Sequence, residues 1–171
     1  AQEALDRPGG VRTLQLNDEE RQAIRALNLL TMKPVEYIAN VDEDGFTDNP
    51  MLEQIAEYAA SHGSAVVPVC AAGDAEIAQL DPEDRPAFLA EWGLEESGLD
   101  RVINAGNRLL DLLTFVTPGP NETRAWTVKR GTTAPRAAGR IHTDFERGFI
   151  RAQVISYDDF VTCNGEQGAR D

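Results

Sequence analysis

Residues 37–46 read YIANVDEDGF, an apolar stretch that runs straight into polar and acidic residues, with Asn40 and Glu43 three positions apart. Extended by the two residues before it, VEYIANV is short, β-rich and largely apolar, the composition of a strand. Downstream, NPMLEQIAEYAASHG (49–63) predicts a helix. Pro50 suits the first helical position, Leu52, Ile55 and Ala59 recur on one face, and Gly63 stands at the end. SAVVPVCAA (64–72) predicts a second, buried strand. Strand, helix and strand within about 35 residues is the spacing of a parallel crossover unit. Such units take ligands beyond the carboxyl ends of their strands, and Asn40–Glu43 and Cys70–Ala72 both fall there.

Working outward, the first dozen residues, which contain Pro8-Gly9-Gly10, read as a linker or as the frayed exit of something upstream. In LNDEERQAIRALNLL (16–30), Asn17 can cap a helix whose first turn, Asp18-Glu19-Glu20, suits the positive end of the helix dipole. Ile24, Leu27 and either Leu30 or Thr31 would share its buried face, and it should stop before Pro34. Helices are expected again in AEIAQL (75–80), DPEDRPAFLAEWG (81–93) and GLDRVINAGNRLLDLL (98–113). The composition shifts near Thr114. After it come two strand-like stretches (TFVTPG, TRAWTV), a helix (APRAAGRIHTDFERG, 134–148) and a strand (FIRAQVIS, 149–156), the opening of a small α+β domain.

Charge divides the chain at the same point. Residues 1–113 hold 8 Lys+Arg against 22 Asp+Glu, a net of −14, whereas residues 114–171 hold 8 against 7, a net of +1. Between Glu122 and Arg151 seven basic residues stand against three acidic ones. The front would repel a phosphate backbone and the back would tolerate one. No apolar run reaches the roughly 18–20 residues needed to cross a bilayer, and AQEALDRPGG has neither the cationic nor the apolar segment of a secretion signal. A cytoplasmic location without membrane partners is expected. Cys70 and Cys163 differ in setting, so reduced thiols and no metal site are expected.

Asn40-Val41-Asp42-Glu43 can be read in two ways. One is a strand ending in a turn, which Asn and Asp favour. The other is a socket for a purine. Nucleotide-binding GTPases carry Asn-Lys-x-Asp at such a strand end, where the Asp carboxylate accepts from guanine's ring N–H and amino group and the Lys stem covers the ring. Here the last position is Glu43, one methylene longer, and the second is Val41. Adenine pairs an amino donor with a ring acceptor, and an amide such as Asn40 can meet both. The exchange disfavours guanine. If Cys70, Ala71 and Ala72 form the second base loop, adenine's amino group needs a backbone carbonyl there; the alternative is a buried strand ending in small residues.

No G-x-x-x-x-G-K-[ST] occurs in the 171 residues, so nothing in them can cradle a triphosphate with backbone N–H groups. His62 reads as an exposed helix-end residue and His142 as a packed helix residue. Arg136, Arg140 and Arg147 are spaced to share one helical face, either as a solvated surface or as a contact to RNA phosphate.

Three stretches, LLTMKPVEYIANVDEDGF, VVPVCAA and above all RAWTVKRGTTAPRAAGRIHTDFERGFIRAQVISYDDF, closely resemble the YchF family, the Obg-like, ribosome-binding ATPases. The likeness covers nearly all of the chain and corresponds to the later half of the family's polypeptide. It implies an α/β fold: the C-terminal half of a P-loop NTPase domain of the TRAFAC/Obg type, followed by a β-grasp TGS domain. By that resemblance residues 1–16 are the exit of a helical insertion, 17–113 the nucleotide-binding part, and 114–171 a TGS domain that stops before its end. Asn40, Val41 and Glu43 match the family's base motif, and Cys70, Ala71 and Ala72 its second base loop.

The implied activity is a ribosome-associated ATPase that prefers ATP to GTP, with in-line attack of water on the γ-phosphate and Mg²⁺ neutralising charge. The Mg²⁺ ligands and phosphate loop are expected in an N-terminal half, so no catalytic residue is expected in these residues and, alone, no hydrolysis. The implied partner is the ribosome, with rRNA or tRNA reached through the TGS region. The rival reading is a TGS interaction module for which nucleotide is only a gate.

Overall fold

A computed structural model describes residues 2–7, 9–119 and 121–170; Pro8 of the expected linker and Asp171 of the polar tail lie outside them. The chain divides into two units, Ala1–Asp111 and Leu112–Asp171.

In the first unit, residues expected as a linker are built into the core. A short helix α1 (Gln2–Leu5) and a 3-10 turn (Gly10–Thr13) bring Val11 to 2% exposure. Helix α2 (Asp18–Arg25) begins with a capping box: Asn17 Oδ1 accepts from Glu20 N–H at 2.9 Å and Glu20 Oε2 from Asn17 N–H at 3.0 Å. It ends well before Pro34, and its expected apolar face is not buried: Leu27 is 62% and Leu30 76% exposed. The early stop coincides with Asn28, whose φ of 48° is left-handed and cannot continue a helix.

Strand β1 (Glu36–Asn40) pairs in parallel with β2 (Ala65–Val69), with Asn40 opposite Val69. The connecting helix α3 (Pro50–Ser61) is started by Asn49, whose Oδ1 accepts from Met51 and Leu52 N–H. Gly63 stops it at φ 66°, with Ser64 N–H on Ala59 O (2.9 Å) and Gly63 N–H on Ala60 O (3.0 Å). Helix α4 (Ala71–Ile77) follows β2 at once, then α5 (Arg85–Glu91) and α6 (Gly98–Leu109). Helices α3 and α6 pack on the two strands, and the core holds Ala59, Val67, Cys70, Ile77, Leu89 and Ala105.

The second unit opens with an antiparallel pair, β3 (Leu112–Thr117) and β4 (Arg124–Lys129), so the boundary expected at Thr114 falls inside β3. Trp126 Nε1 donates to Thr117 Oγ1 at 2.9 Å, and Arg124 lies 4.7 Å from the centre of the Trp126 ring. The single helix expected over 134–148 is two, α7 (Ala134–Ile141) and α8 (Thr143–Arg147). His142 is extended (φ −158°, ψ 142°) and exposed, and its Nδ1 accepts from Asp144 N–H at 3.2 Å. It caps a new helix instead of packing within one. Gly139 permits the fold-back, since a Cβ there would meet Glu146 Cβ at 3.1 Å. Residues 149–156 form no strand: Ile150 is 90% and Val154 86% exposed, with no neighbouring strand on that segment among the described residues. Helix α9 (Tyr157–Thr162) and a last 3-10 turn (Gly168–Arg170) follow.

Candidate functional site

The parallel register brings the carboxyl ends of β1 and β2 side by side, and the residues following them meet. Val41 N–H extends the ladder by donating to Val69 O at 2.8 Å. Asn40 Oδ1 then accepts from Ala71 N–H at 3.0 Å, joining segments 31 positions apart. The chain next turns over Asp42–Gly45, with Gly45 N–H on Asp42 O at 2.9 Å. Asn49 Nδ2 donates to Gly45 O at 3.0 Å while its oxygen caps α3, so one side chain fastens this turn to the crossover helix.

Between the two segments lies an open hollow of about 430 Å³ lined by Asp42, Glu43, Asp44, Cys70 and Ala72. Glu43, Cys70 and Ala72 are thus brought together, with Asn40 and Ala71 supplying the tie between their loops and Val41 the last rung of the ladder. Glu43 is exposed and meets no hydrogen-bond partner among the described residues, so its carboxylate is positioned by its backbone alone. Asn49 was missed by sequence reasoning, although a helix-capping residue six positions beyond Glu43 was visible as a helix start.

Cys70 follows β2 directly and is the N-cap of α4; its carbonyl accepts from Asp74 N–H at 2.8 Å, as Val69 O does from Val41 N–H. A first helical turn leaves N–H groups, not carbonyls, without intrahelical partners. The carboxylates of Asp42, Glu43 and Asp44 are acceptors lining the hollow, and behind them the amide oxygen of Asn40 and the carbonyls of Val69 and Cys70 each keep a second lone pair. Among the described residues no group of three or more His, Cys, Asp or Glu side chains is placed to hold a metal ion.

In the second unit Arg136 and Arg140 line a shallow hollow of about 380 Å³ between α7 and β4, beside Leu112, Val128 and Lys129. Arg147 is on α8, beyond the break at His142, so the three arginines do not share one helical face.

These features define the class: an α/β chain whose first unit has an open hollow at the carboxyl ends of parallel crossover strands. The comparisons narrow it. Residues 112–171 match the family model YchF-GTPase_C, described as a protein of unknown function (DUF933). The chain is 60% identical over 167 residues to "Ribosome-binding ATPase YchF" of Escherichia coli O157:H7, covering 98% of this chain and 46% of that protein. It is 44% identical over 172 residues to the protein of the same name in Bacillus subtilis, covering 99% and 47%. Among solved structures, that titled "Structure of the Schizosaccharomyces pombe YchF GTPase" matches with a TM-score of 0.75 and 32% identity over 93% of this chain and 43% of the other. Over nearly all of its length the chain is similar to members of the YchF family. It spans about half the length of the curated relatives it matches.

Proposed function

We propose that this chain supplies the purine-recognising part of a ribosome-associated ATPase, working in the cytoplasm, and that Asn40 and Glu43 make it prefer ATP to GTP. The observation that carries the reading is the Asn40 Oδ1 to Ala71 N–H bond of 3.0 Å, which fastens the two loops around one hollow. In this reading Asn40 Nδ2 donates to the ring acceptor of adenine, and the second lone pair of Oδ1 accepts from the adjacent amino group. Glu43 reaches past the spot from which an aspartate reads guanine's two donors. Val41 leaves the ring face uncovered by any lysine stem.

The phosphate-cradling motif is absent from the 171 residues, and no cluster of three or more His, Cys, Asp or Glu side chains stands among the described ones. No hydrolytic step is therefore assigned to a residue of this chain. The family's names for its members, ATPase and ribosome-binding, support the wider assignment of an ATP- and Mg²⁺-dependent hydrolase.

The test is a paired substitution in the intact protein. Val41→Lys with Glu43→Asp should move the ATP:GTP affinity ratio toward GTP by on the order of tenfold, the worth of about one well-placed hydrogen bond. An unchanged ratio in calorimetric titrations overturns the assignment.

A second function rests on a separate observation, the exposed Arg136 and Arg140 beside Lys129 in a region of net positive charge. In this reading residues 112–171 act as a TGS-type module that docks on ribosomal RNA or protein, with tRNA a further candidate, and nucleotide gates the contact.

A further inference from the structure

Both loops of the hollow rest on one side chain that contributes nothing to its lining. Trp92 stands at the end of α5 and is half-buried. Its indole stacks on Phe46, three residues after Glu43, with ring centres 6.5 Å apart and planes 25° apart. It also covers Gly73, one residue after Ala72: a Cβ built on Gly73 would lie 2.7 Å from Trp92 Cζ3 and 2.8 Å from Cζ2, and closer still to Cη2. Only a glycine lets α4 lie against the ring. Phe88 meets the indole edge-on at 6.2 Å, which braces it.

The same platform is closed from α6. Arg101 lies 5.6 Å from the centre of the Phe46 ring, and Asp74 Oδ1 accepts from Gly98 N–H at 2.7 Å, pinning the start of α6 to α4. The polar bonds that join the two loops, at Asn40 and Val41, lie at the strand ends, behind Glu43. Forward of them, Glu43 has only its own backbone to hold it, and that backbone is anchored by Phe46 on the indole and by Asn49 on Gly45.

We propose that Trp92 is a positioning residue that sets the spacing between the Glu43 loop and the Cys70–Ala72 loop, and so tunes the base discrimination of the hollow. The inference deepens the purine-site reading and rests on it. A ring held between the loops transmits any change in its size or tilt to both, whereas a purely structural tryptophan would change overall stability without favouring one base.

The experiment uses the intact protein and three ligands: ATP, GTP and inorganic tripolyphosphate, which reports the phosphate site without a base. Trp92→Leu is expected to lower the ATP:GTP affinity ratio about tenfold while tripolyphosphate affinity stays within about twofold. Trp92→Phe, which keeps the stacking on Phe46, should restore more than half of the lost discrimination on a logarithmic scale. Should Trp92→Leu fail to fold, Gly73→Ala gives the same reading by displacing the ring. An unchanged ratio in these variants, or equal losses for all three ligands, overturns the positioning role. If the ratio moves in the Val41/Glu43 pair but not here, only this inference falls; if it moves in neither, the base-site reading falls with it.

Discussion

The two units solve different problems with different bonds. In residues 1–111 the decisive contacts are side chain to backbone and cross long stretches of sequence: Asn40 to Ala71 over 31 positions and Asp74 to Gly98 over 24. In residues 112–171 they are local, a hairpin whose strands are joined by a short connection and two consecutive helices folded back on each other. The first carries a net charge of −14 and gathers three carboxylates at its hollow; the second carries +1 and gathers cations at its own. Long-range polar ties suit a site that must hold two loops at a set spacing. Local pairing with an exposed basic rim suits a surface that presents charge to a large partner.

That contrast can be broken most forcefully at Asn40. Asn40→Ala in the intact protein removes the tie, and ATP affinity should fall about 30-fold, near 2 kcal/mol, by calorimetry. Ribosome co-sedimentation without nucleotide should not change; a parallel loss would show that the units are not separable in function. The converse is charge reversal, Arg136→Glu with Arg140→Glu. It should weaken co-sedimentation about tenfold at low salt, with the difference shrinking as salt is raised, while ATP turnover measured without ribosomes is unchanged. An effect insensitive to salt would argue against a phosphate contact.

The smallest effect sharpens the comparison within the second unit. Trp126→Phe loses the bond to Thr117 and weakens the stack under Arg124, worth about 1 kcal/mol together. Hydrogen exchange of the β3–β4 amides should accelerate by a factor of about five, and the β1–β2 amides should keep their protection.

Much of the first unit was legible because local signals agreed. A β-rich stretch, a helix with Pro50 at its start and Gly63 at its end, and a second apolar stretch gave the crossover, and with it the loops that meet. What was not legible depended on partners. The helix expected over 134–148 breaks at His142 because a ring nitrogen can cap Thr143–Arg147, a competition that periodicity does not register. FIRAQVIS has strand composition but no strand beside it among the described residues, and composition alone makes no ladder. Helix α4 starts directly after Cys70, whereas the sequence suggested a helix only from residue 75 onward. Trp92 read as an ordinary residue at the end of a helix, since nothing in its neighbours announces Phe46 or Gly73.

The amino-acid sequence by itself determined the strand–helix–strand crossover, the charge division near Thr114 and the identities of Asn40 and Glu43, because helix ends, strand propensity and net charge are properties of neighbouring residues. Only the tertiary structure decided that Asn40 grips Ala71, that Trp92 lies beneath both loops, and that Arg147 stands apart from Arg136 and Arg140. Those outcomes rest on distances between segments far apart in the chain, which are set by how side chains fill space against one another.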